Sequence, residues 1–193
     1  MNKSEAVRAV IAATHAEPVV FTTGYASRIA YGIADRPSHF YMTGSMGLAS
    51  SIGTGVAQVT GTTTIVVDGD GALLMNPVGL LLAGAMPGLP LVHVVLDDGR
   101  YASTGGQEVP STATDLAALA RACGYRDVRL AEDASGLESL LRTEIAACTA
   151  PVFVHCVLAD PDEPVTARVG DDLGDHADRF GRHVRELTGA QPC

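Results

Sequence analysis

An aspartate between two glycines is the first feature of this sequence that could do chemistry. Asp70 lies in the segment Gly69-Asp70-Gly71 after a β-branched run, and Asp98 follows the next apolar run 28 residues later. Glycines at a strand-to-helix turn let a phosphate group approach the backbone. Two carboxylates beside such a turn suit Mg²⁺, which takes few protein ligands and keeps phosphate oxygens. The alternative is that Asp70 caps a helix and Asp98 forms a turn, and the spacing alone favours neither.

The elements that must position these aspartates alternate along the chain. β-branched and apolar runs predict six strands, at 18–22, 38–42, 62–67, 91–96, 127–130 and 152–158. Amphipathic or small-residue stretches predict helices, at 3–15, 25–34, 48–59, 72–86, 114–123 and 134–148. The alternation predicts an α/β fold with a doubly wound, mainly parallel sheet.

Four polar or glycine-rich loops follow predicted strands, at 22–24, 43–47, 69–71 and 98–111. In an open α/β sheet, ligands bind beyond the carboxyl ends of the strands, so these loops can line one crevice. The last loop has fourteen residues. It is long for a connection, which indicates a functional role.

Composition narrows the class of protein further. The 193 residues carry a net charge of −9, which argues against a broad nucleic-acid surface. The mean hydropathy of +0.20 is high, and either a membrane span or a buried subunit interface could explain it. The longest uncharged run, 71–96, contains three prolines and lacks flanking lysine or arginine, so we favour the subunit interface.

The two ends of the chain and its cysteines bear on the domain boundaries and on the cellular compartment of the protein. Residues 159–178 carry seven acidic residues and one arginine, which predicts an acidic C-terminal extension, 159–193, beyond a domain of residues 1–158. Within this extension, 175–187 has a helical pattern.

The four cysteines lack CxxC spacing and suit buried thiols plus a tail thiol, Cys193, in a reducing cytosol. Residues 1–13 lack the apolar core of a secretion signal, so we expect a cytoplasmic protein.

Four segments, taken in order, resemble thiamine diphosphate-dependent decarboxylases. Gly69-Asp70-Gly71 followed by Asp97-Asp98-Gly99 resembles the family's thiamine diphosphate-binding motif, and residues 43–47 (TGSMG) resemble the turn that precedes it. Residues 22–24 (TTG) are similar to the first phosphate-side loop of this group. Residues 103–107 (STGGQ) resemble a segment of phosphonopyruvate and sulfopyruvate decarboxylases. The resemblance spans about 18–158 and implies the diphosphate-binding (PP-type) domain.

The resemblance implies thiamine diphosphate and Mg²⁺ as cofactors and gives residues their roles. The metal would be held by the side chains of Asp70 and Asp98 and by the carbonyl oxygen of Arg100. The diphosphate would be held in the loops by Thr23, Gly24, Gly69, Gly71 and Ala72. The family usually has asparagine where this chain has Asp98. The added charge would either strengthen the metal site or crowd the diphosphate, and rotation of Asp97 into the site is a third arrangement.

The turn at 43–47 would carry the catalytic contacts. By resemblance, Met46 would wedge between the two rings of the cofactor, and the Gly44 carbonyl would accept a hydrogen bond from its 4′-amino group. An ordinary packing methionine is the alternative for Met46. Ser45 lies in the same turn, and Ser103 and Thr104 would cover the cofactor from the long loop.

The resemblance also implies a missing part. Enzymes of this kind use a glutamate on a separate pyrimidine-binding domain to bond N1′ of the cofactor, whereas only about 20 residues precede the first predicted strand here. We therefore expect the diphosphate-binding (beta) subunit of a split enzyme, in a hetero-oligomer with a pyrimidine-domain (alpha) subunit that carries the glutamate.

The activity implied is that of a carboxy-lyase, converting the 2-oxoacid phosphonopyruvate to phosphonoacetaldehyde and CO₂. The alternatives are the beta subunit of sulfopyruvate decarboxylase, a non-catalytic thiamine diphosphate-binding module, and a subunit resembling 2-oxoacid:ferredoxin oxidoreductases. The cysteines show no iron–sulfur cluster spacing for the last of these.

Overall fold

Six parallel strands form one sheet in the computed structural model, which describes residues 1–189 except 163, 166, 167 and 171. The strands are β1 (Val19–Phe21), β2 (His39–Tyr41), β3 (Thr64–Gly69), β4 (Leu91–Asp97), β5 (Asp127–Ala131) and β6 (Val152–Val157). Their order across the sheet is β2-β1-β3-β4-β6-β5. The chain starts at β1 beside the edge strand β2 and then crosses back to β3 and β4, while β6 lies between β4 and the other edge strand, β5. The strands β1, β3 and β4 are therefore side by side.

Eight α-helices cover the two faces of this sheet within the described residues. They are α1 (Lys3–Ala13), α2 (Tyr25–Ile33), α3 (Ala49–Thr60), α4 (Asp70–Met75), α5 (Val78–Gly84), α6 (Leu116–Ala122), α7 (Ala134–Ala147) and α8 (Leu173–Thr188). Apolar side chains of α1, α2 and α7 form one core against the sheet, and those of α3 to α6 and α8 form the other. The central strand β4 is buried along almost its whole length because both faces are covered. The doubly wound α/β fold expected from the sequence is thus confirmed.

One predicted helix is wrong. The stretch 72–86 forms two helices, α4 and α5, which are separated at Asn76 and Pro77. Proline lacks an N–H and disfavours helical geometry in the residue before it, and Asn76 accordingly has φ −148° and ψ 77°. The other predicted elements agree with the structure to within two residues at each end.

The described part of the C-terminal segment packs against the rest of the chain. Phe180 of α8 contacts Phe40 of β2, with 5.3 Å between ring centroids, and Arg179 forms an ion pair with Asp35. Asp160 pairs with the terminal amine of Met1 at 2.8 Å. The division into a domain of residues 1–158 and an extension of 159–193 stays a prediction.

None of the described helices is long and apolar enough to cross a membrane. The cysteines that the structure describes are free thiols, at positions 123, 148 and 156. The expected tail thiol, Cys193, lies outside the described residues.

Candidate functional site

A cleft opens at the carboxyl ends of β1, β3 and β4. The loops that follow these three strands line the cleft, together with Met46 from the turn after β2 and Lys3 from the start of α1. The convergence expected from the parallel topology is therefore present, with α1 as an additional wall.

The cleft brings together most of the site residues predicted from the sequence. Those that line it are Thr23, Met46, Gly69, Asp70, Gly71, Ala72, Asp98, Arg100 and Ser103. Four others lie elsewhere. Gly24 lines an adjacent cavity with Arg28, and Gly44 and Ser45 are exposed beside a cavity in front of α8. Thr104 is exposed and donates to the carbonyl of Tyr101 at 3.2 Å. The roles assigned to all of these residues stay predictions.

Asp70 is a tightly held carboxylate of the cleft. Its side chain is buried, and its Oδ2 accepts hydrogen bonds from the Ser111 hydroxyl at 2.6 Å and from the Gly99 amide at 3.1 Å. Burial raises the pKa of Asp70 to about 6; the Ser111 hydrogen bond opposes this rise and the nearby Asp97 carboxyl adds to it. Divalent metal binding at Asp70 would remove this penalty, because a cation favours the carboxylate form.

The adjacent aspartates at the end of β4 face different partners. Asp97 contacts Nε2 of His155 at 2.8 Å. Burial opposes its ionisation, but the contacts with His155 and Asp70 outweigh that effect and lower its pKa. Asp98 lines the cleft, and its Oδ2 lies 2.6 Å from Nζ of Lys3. Of the two neighbours, the structure therefore presents Asp98 to the cleft.

Met46 reaches the cleft from a strained turn. Ser45 has a positive φ of 55°, and Gly47 has a φ of 93°, a conformation that strongly favours glycine. A Cβ on Gly47 would lie 2.9 Å from Cβ of Asn76, and the Asn76 amide donates to the Gly47 carbonyl at 3.1 Å. The break between α4 and α5 thus supplies the side chain that fixes the turn. Met46 itself is half-buried.

The long loop after β4 folds over the cleft as a short flap. Arg100 and Glu108 form an antiparallel bridge, and the Tyr101 amide donates to the Gln107 carbonyl at 2.8 Å. The Tyr101 ring lies directly over Gly71, where a Cβ would be 2.4 Å from its Cε1 atom. A glycine is therefore required at position 71 for this packing. A short 3₁₀ turn, Pro110–Ala113, ends the loop and carries Ser111 to Asp70.

A buried polar network surrounds the carboxyl end of β3. Asp68 is fully buried; its Oδ2 lies 3.4 Å from Nε2 of His93, and its Oδ1 accepts from the Gly69 amide at 3.0 Å. The other ring nitrogen of His93 lies 3.3 Å from the Tyr125 hydroxyl. We expect this network to fix the backbone just before Asp70.

Three polar residues that line the cleft or contact its carboxylates were not predicted from the sequence. Asp68 could have been found as the single charge within the apolar β3 run. Lys3 and Ser111 carry no local signal, because their partners lie 95 and 41 residues away.

The donors present fit a magnesium ion with a diphosphate. The carboxylates of Asp70 and Asp98 offer hard oxygen ligands in one cleft. Among the described residues, no group of three or more His, Cys, Asp or Glu side chains could hold a metal, so an ion here would take phosphate or water oxygens as well. The hydroxyl of Thr22 is buried at the cleft and has no hydrogen-bond partner within the described part of the chain. A phosphate oxygen would satisfy it.

Comparison with known proteins gives the class. The parallel sheet and its cleft define an α/β domain suited to a phosphorylated cofactor, and residues 21–156 match the family described as thiamine pyrophosphate enzyme, C-terminal TPP binding domain. The chain belongs to this family.

Two curated relatives show how much of each protein is shared. The chain is 46% identical over 140 residues to phosphonopyruvate decarboxylase of Streptomyces viridochromogenes, covering 72% of this chain and 35% of that protein. It is 37% identical over 190 residues to sulfopyruvate decarboxylase subunit beta of Methanothermobacter thermautotrophicus, covering 97% of this chain and 98% of that subunit. The chain therefore spans about a third of one relative and nearly all of the other.

A solved structure supports the fold. The chain superposes on a candidate thiamin diphosphate-dependent enzyme from Mycobacterium smegmatis with a TM-score of 0.64 and 22% identity, covering 83% of this chain and 32% of that one.

Proposed function

We propose that this chain is the diphosphate-binding subunit of a split decarboxylase that uses thiamine diphosphate and Mg²⁺ to convert phosphonopyruvate to phosphonoacetaldehyde and CO₂. The observation that carries the proposal is the meeting of Asp70, Asp98 and the unpartnered Thr22 hydroxyl in one cleft of a chain 46% identical to a phosphonopyruvate decarboxylase.

Within this proposal, the loops that follow β1, β3 and β4 share the binding of the cofactor. Asp70, Asp98 and the carbonyl of Arg100 would hold Mg²⁺, and Thr22, Thr23 and Gly71 would receive the diphosphate. When bound, the thiazolium ring of the cofactor supplies the electron sink that lets a 2-oxoacid lose CO₂. Met46 would support the cofactor between its two rings.

The flap at 98–111 contributes to water exclusion. Tyr101 and Ser103 lie along the cleft from this loop, so they would separate the bound cofactor from bulk solvent.

A partner subunit completes the proposed enzyme. The described cleft residues include no glutamate, and subunit names among the relatives support a two-chain assembly. An exposed apolar patch on α4 and α5 offers a surface for the partner; its residues are Met75, Val78, Leu81 and Leu82, which are 43–61% exposed. We propose that the partner carries the glutamate that bonds N1′ of the cofactor. The described free thiols suit a reducing compartment, which we propose is the cytoplasm.

Sulfopyruvate is the second candidate substrate. The observation that favours it is size: sulfopyruvate decarboxylase subunit beta aligns along nearly its entire length, whereas phosphonopyruvate decarboxylase is about three times as long as the shared region. The two substrates differ mainly by one charge, since a phosphonate can carry one more negative charge than a sulfonate.

The test is reconstitution with the pyrimidine-domain chain encoded nearest to this one. The complex is loaded with thiamine diphosphate and Mg²⁺, and release of CO₂ and aldehyde is measured with phosphonopyruvate and with sulfopyruvate. We expect a higher kcat/KM with phosphonopyruvate, and loss of both activities in the Asp70→Ala complex. Preference for sulfopyruvate would support the second candidate. Cofactor binding without turnover of either acid would indicate a non-catalytic module.

A further inference from the structure

Lys3 is the only lysine in the sequence, beside twelve arginines, and it lies in the cleft. Its side chain is 10% exposed, and its Nζ is 2.6 Å from Oδ2 of Asp98. The same Nζ lies 3.4 Å from Oδ2 of Asp162 and 5.9 Å from the centre of the Tyr25 ring. A lysine this buried, paired with a residue at the proposed metal site, needs an explanation beyond surface solubility.

We infer that Lys3 is a positioning residue of the cofactor site: it offsets the charge of Asp98 so that a carboxylate can lie beside a bound diphosphate. This inference rests on the proposed function, because it assumes that Asp98 faces a metal–diphosphate complex. It also assigns a task to α1, which lies outside the 21–156 region matched by the family.

The backbone around Lys3 holds the side chain in place. Asn2 and Glu5 form a reciprocal capping box at the start of α1, and the Lys3 amide donates to Oδ1 of Asp162 at 2.8 Å. The terminal amine of Met1 pairs with Asp160 at 2.8 Å. Part of the acidic C-terminal segment therefore anchors the beginning of α1, and the Lys3 ammonium is directed to Asp98 before any ligand binds.

The charge balance of the cleft explains why the pairing of Lys3 with Asp98 matters for cofactor binding. A magnesium diphosphate complex is itself an anion, and it would approach Asp70 and Asp98 together. Among the described residues that line the cleft, Lys3 and Arg100 are the cationic ones, and Arg100 is exposed. Lys3 is thus the cation placed at low solvent exposure, where screening is weakest.

The inference predicts different effects of removing Lys3 on the affinity for two ligands. For Mg²⁺ alone, Lys3 competes with the metal for the Asp98 carboxylate, so its removal leaves the affinity unchanged or raises it. For thiamine diphosphate in the presence of Mg²⁺, Lys3 reduces the net negative charge, so its removal weakens binding. Simple structural damage would weaken both, which separates a charge role from a folding role.

The binding experiment uses titration calorimetry on the full chain and on its complex with the partner subunit. We expect Lys3→Met to weaken binding of thiamine diphosphate at saturating Mg²⁺ by about tenfold, the scale of coupling between neighbouring charged groups, without weakening binding of Mg²⁺ alone. Lys3→Arg should retain most of the affinity. Arg121→Met, the same charge change at an exposed residue of α6 outside the cleft, is the matched control and should have little effect.

The double variant decides how Lys3 acts. If Lys3 works by offsetting Asp98, Lys3→Met should cost little in an Asp98→Asn background, because the charge to be offset is gone. An equal loss in both backgrounds would overturn the inference and make Lys3 a direct ligand of the diphosphate. Equal weakening of Mg²⁺ alone and of the cofactor, or no effect on either, would also overturn it.

The single lysine allows a direct spectroscopic check. Selective ¹⁵N and ¹³C labelling of lysine gives one side-chain signal, which should shift in the Asp98→Asn variant and again when magnesium and thiamine diphosphate are added. A signal that Asp98→Asn leaves in place would contradict the pairing. A wild-type chain and complex that bind no thiamine diphosphate would overturn the proposed function itself, whereas failure of the Lys3 variants alone would overturn only this inference.

Discussion

The Ser111 hydroxyl donates a 2.6 Å hydrogen bond to Oδ2 of Asp70, although 41 residues separate the two along the chain. Both side chains are buried, and the Gly99 amide donates to the same oxygen at 3.1 Å. One oxygen of the carboxylate is thereby fixed from the far end of the flap, which ties the order of the flap to the orientation of the proposed metal ligand.

We expect Ser111→Ala to weaken Mg²⁺-dependent binding of thiamine diphosphate by roughly five- to tenfold, since a hydrogen bond to a charged group contributes about 1.5–3 kcal/mol and water can replace part of it. Calorimetric titration of the cofactor measures this. Thr112→Ala, an exposed neighbour in the same turn, is the control. Equal losses in both variants would show a general loosening of the turn rather than a contact with Asp70.

Asp70 should limit the stability of the cofactor-free chain. Its folded pKa of about 6 is above the unfolded value, so the folded state binds more protons between about pH 4 and 6. Ionisation of this group therefore lowers the free energy of unfolding as the pH rises through that window, and the full destabilisation is reached near pH 7. We expect Asp70→Asn to raise the melting temperature at pH 7.5, and the gain over wild type to shrink towards pH 5.

The same variant should lose cofactor binding, because Asn is a weaker Mg²⁺ ligand than a carboxylate. Thermal melts with a chelator give the first result, and melts with Mg²⁺ and thiamine diphosphate give the second. A lower melting temperature for Asp70→Asn at every pH would show that the carboxylate stabilises the empty cleft, contrary to this prediction.

The sequence predicted those features whose signal is local. β-branched runs and glycine turns gave the order of strands and helices, and the position of Asp70 and Asp98 after neighbouring strands placed them in one cleft. The contacts that tune these carboxylates depend on distant segments. Ser111 and Lys3 meet them only through the folding of the flap and the packing of α1, which residue spacing does not encode.

The error at 72–86 has a related cause. Apolar periodicity continues across Pro77, so the stretch has the pattern of one helix. The proline instead breaks it and leaves Asn76 outside both helices, where its side chain binds the Gly47 carbonyl. A single local residue thus had a tertiary role that the pattern concealed.

We expect Met46→Ala to reduce turnover more than affinity in the reconstituted complex. The diphosphate supplies most of the anchoring, whereas Met46 would shape the reactive conformation of the cofactor. Met46→Leu retains bulk and should restore much of the kcat. A sharp fall in affinity with unchanged turnover per bound cofactor would assign Met46 to packing alone.

Glycine 71 should not tolerate even one added methyl group. A Cβ there would lie 2.4 Å from the Tyr101 ring, whereas a Cβ on Gly69 would meet no atom within 4 Å. We expect Gly71→Ala to displace the flap, lower the melting temperature by several degrees and weaken cofactor binding. Gly69→Ala is the control for stability. A tyrosine fluorescence or proteolysis signal unchanged by Gly71→Ala would contradict the displacement of Tyr101.

The chain alone should be catalytically silent and should gain activity through its apolar patch. Leu81 of α5 is 55% exposed, and burial of this surface against the partner would account for the apolar composition of the region. We expect Leu81→Lys to reduce co-purification with the partner and decarboxylation together, because a lysine in an apolar interface must be desolvated. The melting temperature of the free chain should change little.

Leu130→Lys is the matched control, since Leu130 is 57% exposed but lies on β5 at an edge of the sheet. Equal loss of association in both variants would assign the contact elsewhere. Robust CO₂ release by the chain without any second polypeptide would refute the split arrangement and direct the search for an activating acid to Glu108 in the flap.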